Sequence, residues 1–482
     1  MKIKIILLLC ILFPGIILKI HAQSTNDSII FNTLGNYNFS LTYSGYTPLI
    51  DRLGRPYVYL ATKELGLVTF NVSNTMNPVT VDTQSVSSLG NLKVTGIAQD
   101  SNYLMVSLGD YQGAGENAGL AIFDITNPVS PVLLDRWDSA AFHNGTATVI
   151  LQNNYAYLGA MHKGVLILDI SNKQDIKFVS QIIPDTTFGN PTHVYHARGL
   201  FISGDTLLVA DDNGGLRVID VTNKLLPVEI GKYKSSTILA AAYPFYNHVY
   251  RIGNYAYCAL DYCGIEVVDI SNPALMTEAS WLNPWNCSNL PPPLGTWNGS
   301  DGHTNEIAYS ASNNVLMFSG GDSQILAVDP SDPLQARIMG AWGPPNDSVG
   351  SWGTDVYGNL VAIANVKTFG FPFVSTVGGL QLLNWNLILG VDENYNKSDT
   401  VNIFPNPAID KVFVKVISEK TNTFDLALFD ISGKMMLDYS GGITDQNNNL
   451  IEINIGDLPQ GLYLCRVTTP ENIYTKLLEK SW

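Results

Sequence analysis

From about residue 50 to about residue 390, apolar residues fall in runs of four to seven, rich in Val, Ile, Leu and Tyr and separated by Gly, Asn, Asp and Pro. From His248, for example, HVYRI alternates and the turn GN follows. Then come YAYCAL, the turn DYCG, IEVVDI, the turn SNP and a last run ending near Trp281. Runs of this length between turn residues predict antiparallel strands, and no stretch of this region sustains a period of 3.6. The third run closes on one phrase throughout. It reads LVTFNVSN at Leu67, LAIFDITNP at Leu120, VLILDISN at Val165, LRVIDVTN at Leu216, IEVVDISNP at Ile265, ILAVDPSDP at Ile325 and LQLLNWN at Leu380. Its polar marker (Asn71, Asp124, Asp169, Asp220, Asp269, Asp329, Asn384) recurs after 53, 45, 51, 49, 60 and 55 residues. Such spacing marks a repeat architecture. Four strands in each of seven units predict an all-β fold, a seven-bladed β-propeller.

An open solenoid would need polar caps at both ends; the sequence points to closure instead. The outer strand of several units ends in a recurring phrase, LLDRW at Leu133, EIGKY at Glu229 and RIMGAW at Arg337. The seventh unit lacks this strand, yet IFNTLGNY at Ile30–Tyr37 carries the phrase ahead of the first unit. An N-terminal strand completing the last blade would remove an exposed sheet edge.

The ends of the chain follow different patterns. Lys2 and Lys4 precede an apolar run from Ile5 to Leu18 that includes Cys10, and KIHA offers a small residue before Gln23. Residues 1–22 therefore read as a secretory signal peptide. Without Lys2, Lys4 and Lys19 the chain has 24 basic and 42 acidic residues, a formal charge of −18. That balance argues against nucleic acid and anionic lipid as partners, and no transmembrane segment is expected in the mature chain. Residues 23–390 are assigned to the propeller, 391–400 to a polar linker, and 401–482 to a small β-sandwich with turns at Asn406-Pro407, Ser432-Gly433 and Gln460-Gly461.

The phrases VLILDIS, LRVIDVT and IEVVDIS, each after an AYxA-like strand, resemble the LVIVD-repeat family of bacterial surface propellers. That resemblance implies fold and surface location and brings no shared catalytic residues. FPNP, DISGK and GLYLCRV, in that order up to the C-terminus, resemble the type A sorting domain of the Bacteroidota type IX secretion system. This implies that the secretion machinery is a partner and that the passenger is secreted or held at the outer-membrane surface.

Turn lengths separate two faces of the predicted ring. Connections after the first and third strands are short, whereas the other two vary widely and share the opposite face. Loops on a rigid scaffold are where function concentrates. Several of them deliver His196, His248, His303 and Asp355 to the start of an innermost strand, with Asp211, Asp212 and Asp261 on neighbouring hairpins. Converging imidazoles and carboxylates suit a ligand or a divalent ion; the same groups also cap turns and bind channel water, so no metal or other cofactor is assigned. Trp137, Tyr233, Trp281 and Trp342 are expected to fill wedges between blades, while Trp285, Trp297 and Trp352 lie in long loops as candidate exposed contacts. DDNGG at Asp211 lacks the spacing of a calcium loop and reads as a tight turn.

Four cysteines follow the signal peptide: Cys258, Cys263, Cys287 and Cys465. Cys263 and Cys287 belong to the long-loop face of one unit and are expected to form a disulfide in an exported protein. No nucleophile elbow, phosphate loop or HExxH occurs. The reading is a non-enzymatic propeller that binds an extracellular protein or glycan through its long-loop face. The alternative is an extracellular hydrolase or lyase with a His/Asp site at the channel mouth.

Overall fold

The computed structural model describes residues 27–39, 43–111, 115–188, 195–241, 245–284, 303–320, 325–343, 349–369, 374–388, 400–417, 423–430, 433–443, 450–468 and 473–481. Seven four-stranded antiparallel sheets account for the repeats. They are blade 1 (48–84), blade 2 (94–143), blade 3 (148–182), blade 4 (199–233), blade 5 (246–282), blade 6 (307–342) and blade 7 (350–388 with 28–38). Each innermost strand contacts that of the next blade, and blade 7 contacts blade 1, so the ring is closed. The closing strand is Ser28–Asn38, which pairs antiparallel with Gly379–Ile388 from Ser28↔Ile388 to Asn38↔Gly379. This is the N-terminal strand that the recurring phrase predicted.

The middle strands of a blade are buried on both faces, which is why they read as unbroken apolar runs rather than alternating ones. Their two faces feed different wedges. Seven apolar clusters form, each between two adjacent blades. Trp137 packs between blades 2 and 3, Tyr233 and Trp281 between blades 4 and 5, and Trp342 between blades 6 and 7. These four side chains fill wedges, as expected.

The recurring marker residue closes the turn after the third strand. The side-chain oxygens of Asn71, Asp124, Asp169, Asp220, Asp269 and Asp329 each accept from the backbone N–H two residues on, at 2.7–2.9 Å. A second polar residue repeats the device: Asn74, Asn172, Asn223, Asn272 and Asp332 accept at 3.0–3.1 Å. These are Asx turns, so Asn serves as well as Asp, and Asn71 is no defect. Asn384 has no turn to cap, because its strand runs on to Ile388.

Each turn then rests on the outermost strand of the preceding blade, at a one-residue bulge. Ser180 Oγ donates to Lys224 O at 2.5 Å, and Ser280 Oγ to Pro333 O at 2.7 Å. Asp135 accepts from Ile176 N–H at 2.7 Å, and Gln84 donates to Pro131 O at 3.3 Å. At Gly231 an added Cβ would collide with Pro273 O. The N-terminal strand enters the same arrangement on both sides. Gly340 has no room for a Cβ beneath Ile29 O, and Gly35 none beneath Met76 O.

Two segments depart from the blade pattern. The stretch at Ala140 continues the outermost strand of blade 2, which spans Val132–His143. The loop after Tyr233 contains a short helix, Ser236–Ala241, entered through Ser235, whose Oγ accepts from Ile238 N–H at 3.1 Å.

The C-terminal unit is a separate compact body. A three-stranded sheet (Thr400–Phe404, Lys411–Ile417, Leu450–Asn454) faces a four-stranded sheet ordered Met435–Ile443, Thr423–Asp430, Gly461–Thr468, Ile473–Lys480, around one apolar core. The motif phrases build its corners. Asn406 of FPNP donates to Leu477 O and accepts from Glu479 N–H, both at 2.8 Å. Asp430 of DISGK accepts from Lys434 N–H at 3.0 Å. In GLYLCRV, Tyr463, Cys465 and Val467 point into the core.

Two stability measurements check this account. Gly231→Ala forces a Cβ into the Pro273 carbonyl and is expected to cost about 1–3 kcal/mol in urea unfolding. A cost within ~0.3 kcal/mol of zero would show that the turn does not press on this site. Removal of residues 28–38 strips Ile29 and Phe31 from the wedge between blades 6 and 7 and bares the edge of Gly379–Ile388. Size-exclusion chromatography should show aggregation, and a stable monomer would contradict closure by this strand.

Candidate functional site at the channel mouth

Every innermost strand starts at the long-loop face. One residue per blade stands at the mouth, just before regular pairing begins. Tyr46, Ala147 and Arg198 donate backbone N–H groups to Ala61 O, Gly159 O and Ala210 O at 2.8–3.0 Å. Thr95, Asn247 and Trp352 occupy one-residue bulges, and Asn305 takes the place in blade 6. The level below holds Thr47, Gly96, Thr148, Gly199, His248, Glu306 and Gly353. Glycine and larger residues share this space. A Cβ on Gly199 would strike the His248 backbone, one on Gly96 would lie 3.1 Å from Thr148 Cα, and one on Gly353 would lie 2.6 Å from Glu306 Oε2.

A polar chain crosses the mouth between blades 4, 5 and 6. Arg198 Nη1 donates to Asn247 Oδ1, and Asn247 Nδ2 donates to Asp261 at 2.5 Å and to Thr304 O at 2.9 Å. His303 Nε2 lies 3.1 Å from Asp261 Oδ1, and His303 Nδ1 lies 2.7 Å from the Asn305 amide nitrogen. An amide nitrogen only donates, so Nδ1 accepts and Nε2 carries the proton toward Asp261. The ring stacks on Trp352 at 5.5 Å and meets Tyr262 edge-on at 4.9 Å. Burial opposes the charge of Arg198, but Tyr111, Asp212 and Asp261 more than offset it and hold its pKa above the usual value.

A second group lies between blades 3 and 4. His196 Nδ1 is 2.9 Å from Asp212 Oδ2, and its ring packs on His162 at 4.2 Å. Burial, then His196, lowers the His162 pKa. Between blades 1 and 2 the buried Lys63 pairs with Asp110 at 2.9 Å beside the Tyr46 ring. Lys93 reaches Asp110 at 2.9 Å and Glu116 at 3.6 Å, and its hydrogen bond to Asp110 raises its pKa. Lys63, Met161 and Asp212 adopt left-handed φ of 53°, 54° and 41°. Each forms a backbone bridge to the next blade, Lys63↔Val94, Met161↔Ala197 and Asp212↔Tyr246. These strained turns hold the mouth groups in register.

The structure thus gathers His196 with Asp212, and His303 with Asp261 and Trp352. His248 lies one level deeper; burial, then Arg198, pushes its pKa down to about 4, so the ring is neutral. Asp211 turns away from the axis. It sits 3.5 Å from the fully buried Arg217, which also binds Glu229 at 2.8 Å, and burial raises its pKa to about 7. Asp355 is not at the mouth either. The bulge at Trp352 and the start of the strand at Gly350 carry it to the opposite end, where it accepts from Ile50 N–H at 2.7 Å and pairs with Arg52 at 2.5 Å. Trp352 is no exposed loop residue: it lies within the innermost strand of blade 7 and is 6% exposed. Trp285, Trp297 and Cys287 lie outside the described residues. Cys263 is disulfide-bonded, while Cys258 and Cys465 are buried free thiols. Sequence reasoning missed Arg198, Asn247, Asn305, Glu306 and the Lys63–Asp110 pair. Aligning the units on the start of the innermost strand, rather than on the Asp phrase, places the first four in two rings.

Among the described residues no group of three His, Cys, Asp or Glu could hold a metal ion, and no helix is long and apolar enough to cross a membrane. Comparison with known proteins agrees with the architecture. The LVIVD repeat family matches at 105–139, 145–182, 196–235 and 248–283. The secretion system C-terminal sorting domain matches at 402–479. No curated protein matches the chain. Among solved structures, the RRP9 WD40 repeats are 9% identical with a TM-score of 0.53, covering 74% of this chain and 98% of that one. The U3-55K structure is 9% identical with a TM-score of 0.51, covering 74% and 98%. Both likenesses concern the fold alone. The chain is an LVIVD-repeat β-propeller that ends in a type IX secretion sorting domain.

Proposed function

We propose that this exported propeller is a non-enzymatic binding module that captures an extracellular protein or glycan on its long-loop face, after loss of residues 1–22 as a signal peptide. One observation carries the reading: the polar groups of the mouth are held in fixed positions by one another, from Arg198 through Asn247 and Asp261 to His303 and Asn305. Planar guanidinium, amide and aromatic groups fixed on a rigid ring favour recognition, because little side-chain entropy is lost on binding. The same network disfavours hydrolysis at His303, since a general base needs a free lone pair and Nδ1 already accepts from Asn305. Sorting by the C-terminal domain supports a location at the cell surface or beyond it.

The test is a glycan and surface-protein array probed with the full chain, repeated with Arg198→Ala. Loss of an Arg anchor is expected to weaken binding tenfold or more, with thermal unfolding measured alongside. Undiminished binding of the variant to every captured ligand would move the site away from the mouth.

Cys263 belongs to the same face, and Cys287 is the partner we propose for it. The bond would close a loop of about 25 residues and contribute roughly 3 kcal/mol in the chain-entropy model. Non-reducing peptide mapping should recover the two cysteines in one linked species. Alkylation of Cys287 without prior reduction would refute the pairing.

A further inference from the structure

Below the mouth ring, Glu306 of blade 6 extends over Gly353 of blade 7, where any side chain would displace it, and reaches Thr47 of blade 1. The Thr47 Oγ1–Glu306 Oε1 distance is 2.7 Å. The same hydroxyl lies 3.0 Å from Thr95 O of blade 2. A carbonyl oxygen only accepts, and a hydroxyl has one proton. If that proton goes to Thr95 O, the short contact to Glu306 needs a proton from the carboxyl. An ionised Glu306 would leave that single proton to serve two acceptors, whereas a protonated carboxyl makes hydrogen bonds of both contacts.

We infer that Glu306 is kept as the neutral acid and that its proton is a latch, joining blades 6, 1 and 2 past the glycine of blade 7. Burial raises the Glu306 pKa to about 8, while Thr47 and the Thr354 backbone N–H act in the opposite sense. The charged groups acting on it are Asp355 of blade 7, which raises its pKa further, and Arg198 of blade 4, which lowers it. His303, on the segment leading to Glu306, is already tied to Asp261 and Asn305. The latch is a property of the ring and does not depend on which ligand the mouth binds. It would keep the long-loop face rigid in acidic and neutral media and loosen it in alkaline ones.

The sign follows from linkage. A carboxyl whose folded pKa lies above its unfolded value stabilises the fold fully below the unfolded pKa, 4.5, and loses that contribution as pH rises through about 8. The test is urea unfolding of the full chain at a series of pH values, for the natural protein and for Glu306→Gln. The Gln amide donates to Thr47 without titrating. The ratio of the two unfolding constants is expected to change by about tenfold per pH unit between the two pKa values. Glu266 and Asp211, whose pKa values are both raised to about 7, act in both proteins and cancel in that ratio. Parallel pH profiles would overturn the latch. Should Glu306→Gln fail to fold, infrared spectroscopy decides. The natural protein should show a protonated-carboxyl band at neutral pH that shifts when Thr47→Val removes its acceptor, and an unshifted band would equally overturn the proposal.

Discussion

The propeller depends on one contact repeated around its rim. The turn after each third strand presses on a bulge in the outermost strand of the blade before it. That contact needs a small or short polar residue below and a backbone carbonyl or amide above. Ser180, Gly231, Ser280 and Gly340 meet the first requirement, and the double Asx turn meets the second by fixing the backbone. A larger residue at a bulge would wedge two blades apart, and an uncapped turn would leave the carbonyl free to swing. The apolar wedges supply most of the buried area, but apolar packing is tolerant of small rotations. The rim contacts seat each blade against the one before it, and those of the N-terminal strand at Gly340 and Gly35 complete the circuit.

This explains what could be read from the sequence. The Asp phrase is visible because a turn geometry repeats with it, and closure was legible because the N-terminal strand repeats the outer-strand phrase around Gly35. The site was harder to read, for reasons of register and of distant pairing. A single-residue bulge turns a side chain to the other face, which is how Trp352 came to lie inside a strand and Asp355 at the far end. Asp211 looked like a hairpin carboxylate facing the mouth, but it is buried beside Arg217 of the same hairpin. Glu229, from the outermost strand, completes that group, and nothing near Asp211 announces it. Arg198 and Asn247 were overlooked because the first precedes its strand and the second sits at a bulge near the start of its own, where apolar patterning says nothing.

Two populations of carboxyl groups pull the stability of the ring in opposite directions. The turn aspartates Asp124, Asp169, Asp220 and Asp269 accept hydrogen bonds from the Ser or Thr two residues on, and their pKa values are lowered. Their contribution is present above the usual carboxylate range and is lost as pH falls. The buried acids behave the other way. Glu266, held by Tyr233 at 2.7 Å and Tyr246 at 2.6 Å, has its pKa pushed up to about 7 by burial, so its contribution fades as pH rises. The rim is thus weakened by acid and the interior by base.

Pairing Ser28 with Ile388 has a consequence for the order of events during export. The first strand of the ring cannot find its partner until the last blade has been made, so Ser28–Asn38 waits unpaired for most of synthesis and the ring stays open. Contacts this distant in sequence are slow to form, although the entropy of closing so long a loop grows only with the logarithm of its length. The chain therefore stays an open arc with one unprotected edge until Ile388 is available, and the sorting domain at 402–479 lies just beyond that point. The Gly379–Ile388 strand that completes the fold and the address that directs export are neighbours along the chain, so a product truncated before the last blade lacks both.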